Sequence, residues 1–376
     1  MVVGLLAFHA GSISILIKKV IMNRIIIPAL IITIGIAVIS CRKQKIPDMG
    51  MEKNINYPAA FVVNGEDGTL SVIKLADNTV TETIELMGNN NSMAMWPHHI
   101  YKHEAIDMTH LAIAAPGMDL SEGHAGATPG MAGRILIVDA VTGMMEKEFE
   151  VPTMNHNAVY SPDGKEIWTS QMVMDGKVLV YDAATYTLKT TIDVGMEPAE
   201  VTFSADGSKA YVANGGDDNV SIIDPSTKAV ITTIPVGDNP VAAWIGKDGK
   251  MYVDNEDGQT VSVVSVANDN VLQTIDLGFM PGSVAHNALK SELWVTDPEN
   301  GKVHYYNWDA GTNSWIHGGV FNAALGAHAI AFTNDGDLAY VTNQGAASVS
   351  VINVASHSKL KDITVGKKPN GILINY

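Results

Sequence analysis

Between residues 58 and 376 the chain is written in short runs of alternating apolar and polar residues, separated by turn signals. The runs A-Y-V-A-N at 210–214, A-Y-V-T-N at 339–343, F-V-V-N at 61–64, M-Y-V-D-N at 251–255 and L-W-V-T-D at 293–297 line up with one another. Each is followed by a second run: V-S-I-I-D at 220–224, V-S-V-I-N at 349–353, L-S-V-I at 70–73, V-S-V-V at 261–264 and V-H-Y-Y at 303–306. A third run follows, as in V-I-T-T-I-P-V at 230–236, L-K-D-I-T-V at 360–365 and V-T-E-T-I-E-L at 80–86. The fourth starts at a proline and ends in a turn, as in P-A-E-V-T-F-S-A-D-G at 198–207. Asp-Gly pairs at 163–164, 206–207, 248–249 and 335–336 supply the positive φ angles of a tight hairpin.

Four short strands at a period of about 42 residues predict one blade of a β-propeller. The run 164–180 and a degenerate stretch at 111–138 bring the count to seven. The expected fold is therefore all-β, a seven-bladed propeller over residues 58–376. The first repeat begins at its second strand, and the chain ends in G-I-L-I-N-Y at 371–376, an isolated first strand. That last strand is predicted to complete blade one and so remove the free sheet edge. The Y-V-T-N core, with V-S-V-I-D and P-x-G-x-x-F-S-x-D-G around it, resembles the YVTN-repeat β-propeller family over residues 60–376. Blades four, five and seven fit it best and blade two least. The resemblance implies the fold and says little about function, since related propellers bind ligands, host metals or haem, act on lactones or hold partners.

Ahead of the repeats, a short basic start at Met22-Asn23-Arg24 precedes an apolar run from Ile25 to Ile39. This is the pattern of an export signal. V-I-S-C at 38–41 looks like a bacterial lipobox, which implies lipidation of Cys41, a membrane anchor and a place on the periplasmic side of the cell envelope, at the outer membrane first. Met22 is then the expected start, residues 1–41 the leader and residues 42–57 a polar tether. A single transmembrane helix beginning near Ile13 is the alternative, interrupted by Lys18, Lys19 and Arg24. Cys41 is the only cysteine, so the propeller has no disulfide, thiolate ligand or cysteine nucleophile. No C-x-x-C-H occurs, which excludes covalent c-type haem. The formal net charge of −16, with 24 Lys+Arg, argues against nucleic acid and favours cations.

In such a blade the first strand lines the central channel, and the residue after its proline enters at one mouth. Around the ring that position reads His98, His156, Ala199, Val241, Gly282, His328 and Asn370. The three histidines fall on the contiguous arc of blades seven, one, two and three, with Asn370 between two of them. The next position supplies His99, Asn157, Glu200, Ala242, Ser283, Ala329 and Gly371. His98, His156 and His328 are the first-rank metal ligands, His99 and Glu200 the second-rank ones. A Gly-rich insertion in blade two, residues 116–133, adds Met118, His124 and Met131 beyond His110, a set suited to a lid over the histidine arc. The mouth this insertion reaches cannot be assigned from the sequence.

Imidazole with thioether suits copper, and imidazole with carboxylate suits zinc or iron. Copper is therefore expected first. The arrangement is similar, in reduced form, to the multi-histidine copper sites of seven-bladed propellers such as nitrous oxide reductase, where a His-His pair like His98-His99 also occurs. Fewer ring histidines and no cupredoxin-like domain argue against reductase activity on that gas. Two other classes stay open: a non-enzymatic scaffold docking an envelope protein, and a lactonase-like hydrolase. The second needs acidic and basic groups converging at the mouth, and this channel is poor in Arg and Lys. No G-x-S-x-G elbow is present.

Overall fold

The second strand of each repeat is buried along its whole length, as in Ala59–Asn64 and Ala210–Asn214, or at every position after the first, as in Leu338–Asn343. A strand covered by neighbouring blades on both faces can be apolar throughout. The outermost strands, such as Thr79–Glu85, Ala229–Pro235 and Ser358–Thr364, expose every position but one or two. Each keeps a single buried isoleucine pointing inward: Ile84, Ile234 and Ile363. Apolar density along the chain thus separates the second strand of each blade from the outermost one.

The computed structural model describes residues 52–86, 95–103, 109–121 and 131–376. They form seven four-stranded antiparallel sheets. Six run in sequence order from the inner to the outer strand, and the seventh joins the ends of the chain. There the terminal strand Pro369–Asn375 pairs with Ala59–Asn64, with Phe61 opposite Leu373 and Ala59 opposite Asn375. Strand pairing therefore closes the ring, and Ala59–Asn64 is not left as an edge strand. Cys41 and the leader lie outside the described residues. Among the described residues no helix is long and apolar enough to cross a membrane.

Two recurring devices explain the repeat signature. The asparagine that ends the second strand turns its Nδ2 to hydroxyls of the third. Asn64 donates to Thr69 Oγ1 and Ser71 Oγ at 2.9 Å each. Asn343 donates to Ser348 Oγ at 3.1 Å and Ser350 Oγ at 3.0 Å, and Asn255 to Thr260 and Ser262. The co-occurrence of a terminal Asn with V-S-V is therefore one hydrogen-bonded unit. The second device is a left-handed residue in the outermost turn that clasps the preceding blade. Lys228, at φ 63°, reaches Glu166 at 2.7 Å and lies over the Trp168 ring. His357, at φ 48°, reaches Glu292 at 3.1 Å and stacks on Tyr305 at 3.7 Å. Asn78, at φ 55°, accepts from the Tyr340 hydroxyl.

Candidate functional site

At the channel mouth the regular ladder gives way in blades two and three, whereas His328 lies within the blade-seven strand Ala327–Phe332. The inner strands of blades two and three shrink to Ile100–Lys102 and Val159–Tyr160, so His98, His99 and His156 stand just ahead of them in irregular backbone. In blade four Glu200 belongs to the strand Pro198–Phe203, at a register shift between Pro198 and Val201. Neighbouring blades hold the ring-position carbonyls in place. Gly371 N donates to His98 O at 3.0 Å, Thr342 Oγ1 donates to Asn370 O at 2.9 Å, and Ser283 Oγ donates to His328 O at 2.5 Å. A Cβ at Gly371 would lie 2.8 Å from His98 O and 2.9 Å from His99 Cα, so this close approach requires glycine.

The imidazoles converge. Ring centroids are 4.3 Å apart for His98 and His99, 4.5 Å for His98 and His156, and 5.0 Å for His99 and His156. Among the described residues, these three form a group whose potential ligand atoms all lie within 4.8 Å of one another. All three are buried, with exposures of 2%, 4% and 1%. His328 adjoins the group, with its ring 5.7 Å from His98 and 5.8 Å from His99, and it is half-buried. The sequence ranks His328 with His98 and His156 and puts His99 second. In the structure His99 completes the compact trio and His328 flanks it.

Glu200 ties the group together. Its Oε1 lies 2.9 Å from His156 Nδ1 and 3.0 Å from His99 Nε2. Its Oε2 accepts from the Tyr101 hydroxyl at 3.1 Å and from Asn157 Nδ2 at 3.4 Å. Burial on its own would raise this carboxyl, but the His99 and His156 imidazoles outweigh it and hold Glu200 far below the usual carboxylate range. Sequence reasoning did not single out Tyr101 or Asn157. Asn157 shares the repeat position of His99 and Glu200, and Tyr101 lies two residues after His99, but an amide and a phenol carry no metal-ligand signal of their own.

Nearby, Asp254 accepts from Trp244 Nε1 at 2.9 Å and from Ala242 N at 3.0 Å. Burial first, then the charges of Glu256 and Glu200, push its carboxyl well above the ordinary value. The Trp244 ring lies 6.0 Å from that of His99. On the rim of blades four and five, the Asn239 backbone N–H donates to Asp218 and its side-chain amide donates to Asp257. Asp218, together with burial and Asp257, raises the Asp238 carboxyl.

The remaining candidates divide. Met118, Met131 and Leu120 of the blade-two insertion pack with Met154, Met172, Ala199 and Val241. Ala199 and Val241 are ring positions, so this part of the insertion covers the same mouth as the histidines. Lys368 Nζ holds it to blade one through Ser121 Oγ at 2.8 Å. Asn370 is committed to the scaffold: its Oδ1 accepts from Gln344 Nε2 at 2.7 Å and its Nδ2 donates to Pro97 O at 3.2 Å. His110 opens the second strand of blade two at the end away from the mouth and pairs with Glu146 at 2.7 Å. His124 lies outside the described residues.

A family model described as the choice-of-anchor I domain matches residues 165–369, more than half of the chain. No curated protein matches it in sequence. Many solved structures share the fold. A functionally unknown protein from Desulfotomaculum acetoxidans aligns with TM-score 0.67 and 11% identity over 85% of this chain and 99% of its own. The periplasmic gluconolactonase of Pseudomonas aeruginosa aligns with TM-score 0.67 and 17% identity over the same shares. Hydrazine synthase of Kuenenia stuttgartiensis gives TM-score 0.59 and 18% identity over 73% and 88%. At these identities the likeness is one of fold.

Proposed function

The chain belongs to the choice-of-anchor I domain family, and from that premise we propose that it is an exported, lipid-anchored β-propeller that binds a transition metal ion, copper first, at one channel mouth. The observation that carries this reading is the buried trio His98, His99 and His156, with ligand atoms within 4.8 Å of one another. Imidazole nitrogens sharing an ion at about 2.0–2.1 Å sit about 3.3 Å apart in tetrahedral geometry, a contraction that small ring rotations supply. His328 is the adjoining fourth imidazole. Glu200 spends both oxygens on hydrogen bonds, which makes it an outer partner of the histidines rather than a ligand.

The methionines packed over the mouth favour a soft ion, since thioether with imidazole suits copper better than zinc. The excess of acidic residues over basic ones, 40 to 24, and the rim carboxylates of blades four and five provide a field that draws cations. A bound copper ion would supply a one-electron step or a polarising centre for a ligand reaching it past His328. In this reading Cys41 carries the lipid anchor on the periplasmic side, which is checked by fatty-acid labelling that disappears in Cys41→Ala.

The deciding measurement is metal content by mass spectrometry on the chain purified without a histidine tag and reconstituted separately with copper and with zinc. Near one equivalent of copper is expected, lost in the His98→Ala/His99→Ala/His156→Ala variant. One equivalent of zinc with no copper would reassign the metal. No retained metal in either sample would end this reading and move the search to an envelope protein partner.

A further inference from the structure

Glu200 is buried, with 1% of its surface exposed, and hydrogen-bond donors meet it on both oxygens. Asn157 cannot be turned end for end, because its Oδ1 accepts from Val201 N at 3.2 Å while its Nδ2 donates to Val201 O at 2.9 Å. The amide N–H of Asn157 and the hydroxyl of Tyr101 therefore both face Oε2, and the carboxylate is anchored at that end. The opposite oxygen faces His99 Nε2 and His156 Nδ1 at 3.0 Å and 2.9 Å. An ionised carboxylate only accepts, so each of these nitrogens carries its ring's hydrogen. A neutral imidazole has one N–H and one lone pair, so the lone pairs stand at the other nitrogens.

We infer that Glu200 is the positioning residue of the histidine site: by accepting from His99 Nε2 and His156 Nδ1 on one oxygen, it fixes opposite tautomers and leaves His99 Nδ1 and His156 Nε2 as the ligand atoms. The inference rests on the metal-binding reading and deepens it. Two histidines left to themselves have no reason to adopt different tautomers. Here a single oxygen on blade four imposes the difference on blades two and three. The lone pairs are set before any ion arrives, which removes the cost of reorienting buried rings on binding.

The test reads the tautomers directly. In the metal-free chain labelled with ¹⁵N-histidine, two-bond ¹⁵N–¹H spectra, assigned through His99→Gln and His156→Gln, should show His99 protonated on Nε2 and His156 on Nδ1. Glu200→Ala should abolish that opposed pair and lower copper and zinc affinity roughly 10–100-fold. Glu200→Gln keeps its oxygen toward the fixed Asn157 N–H and turns its NH2 to the rings, so it should move the hydrogens to His99 Nδ1 and His156 Nε2 and weaken the affinity as well. If the alanine variant does not fold, the wild-type and glutamine spectra decide. Wild-type His156 protonated on Nε2, or an alanine variant with unchanged tautomers and affinity, overturns the inference. A wild type with the stated tautomers that takes up no metal defeats the metal-binding reading instead. The wrong tautomers in a chain that binds metal defeat this inference alone.

Discussion

Glu200 on blade four reaches past blade three to His99 on blade two, with Oε1 and Nε2 3.0 Å apart. The same oxygen holds His156 of blade three at 2.9 Å. A propeller channel is narrow at its mouth, so inner strands that are not neighbours in the ring still meet there. One carboxylate can then organise side chains from three blades. The arrangement depends on Glu200 being held from behind by Tyr101 and Asn157.

Tyr101→Phe removes one of the two donors to Glu200 Oε2 and leaves a buried charge with one fewer partner. Losing a hydrogen bond to a charged group should destabilise the chain by about 1–3 kcal/mol. Denaturant unfolding of the variant beside the wild type measures it, and an unchanged midpoint would show that the hydroxyl contributes nothing there.

Gly371→Ala places a methyl group against His98 O and His99 Cα. The backbone of the His98–His99 segment has to retreat, at an overpacking cost of about 1–3 kcal/mol. A lowered melting temperature together with weakened metal binding is expected, because the displaced segment carries two of the three imidazoles. Calorimetric titration of the variant tests the second effect separately from the first.

Asp254 has a raised carboxyl because burial and the charges of Glu256 and Glu200 disfavour its ionised form. The folded state therefore keeps a proton that the unfolded chain has released above the ordinary carboxylate pKa of about 3.9. This group lowers stability as pH rises from that value toward its folded pKa, by at most about 1.4 kcal/mol per pH unit for one proton. Asp254→Asn retains the oxygen that accepts from Trp244 and Ala242 and has no proton to lose. In urea unfolding its stability relative to the wild type should rise as pH climbs above the ordinary carboxylate value and level off once the folded group ionises. A constant difference would contradict the assignment.

Trp244 sits 6.0 Å, ring to ring, from His99, closer to the proposed ion than a fluorophore can be without quenching by a paramagnetic centre. Cupric ion should quench part of the tryptophan emission of the wild type, zinc should not, and Trp244→Phe should reduce the copper-dependent change. Trp96 stands two residues before His98, so quenching that persists in a Trp96→Phe/Trp244→Phe variant would locate copper elsewhere.

The number of blades and the closure of the ring were legible in the sequence because both are local. A strand buried on two faces, a strand alternating toward solvent and an Asp-Gly turn each write a pattern within ten residues, and seven copies make it unmistakable. The missing first strand at one end and the spare strand at the other leave one way to close. The ring position also follows from repeat counting, which is why His98, His156 and His328 could be picked out together.

Which side chains touch was not local, and the tertiary structure decided it. His99 joins the trio because its segment lies outside the regular ladder, where strand alternation no longer dictates direction. Asn370 looks like a ligand by position, yet Gln344 and Pro97 consume its amide. His110 shares a blade with His98 and stands at its other end. Met118 and Leu120 cover the histidine mouth because they pack against Ala199 and Val241, residues from blades that no sequence spacing connects to blade two. Periodicity determines where the backbone goes, whereas the chemistry of a channel mouth depends on distances between chains of contacts that meet only after the ring has closed.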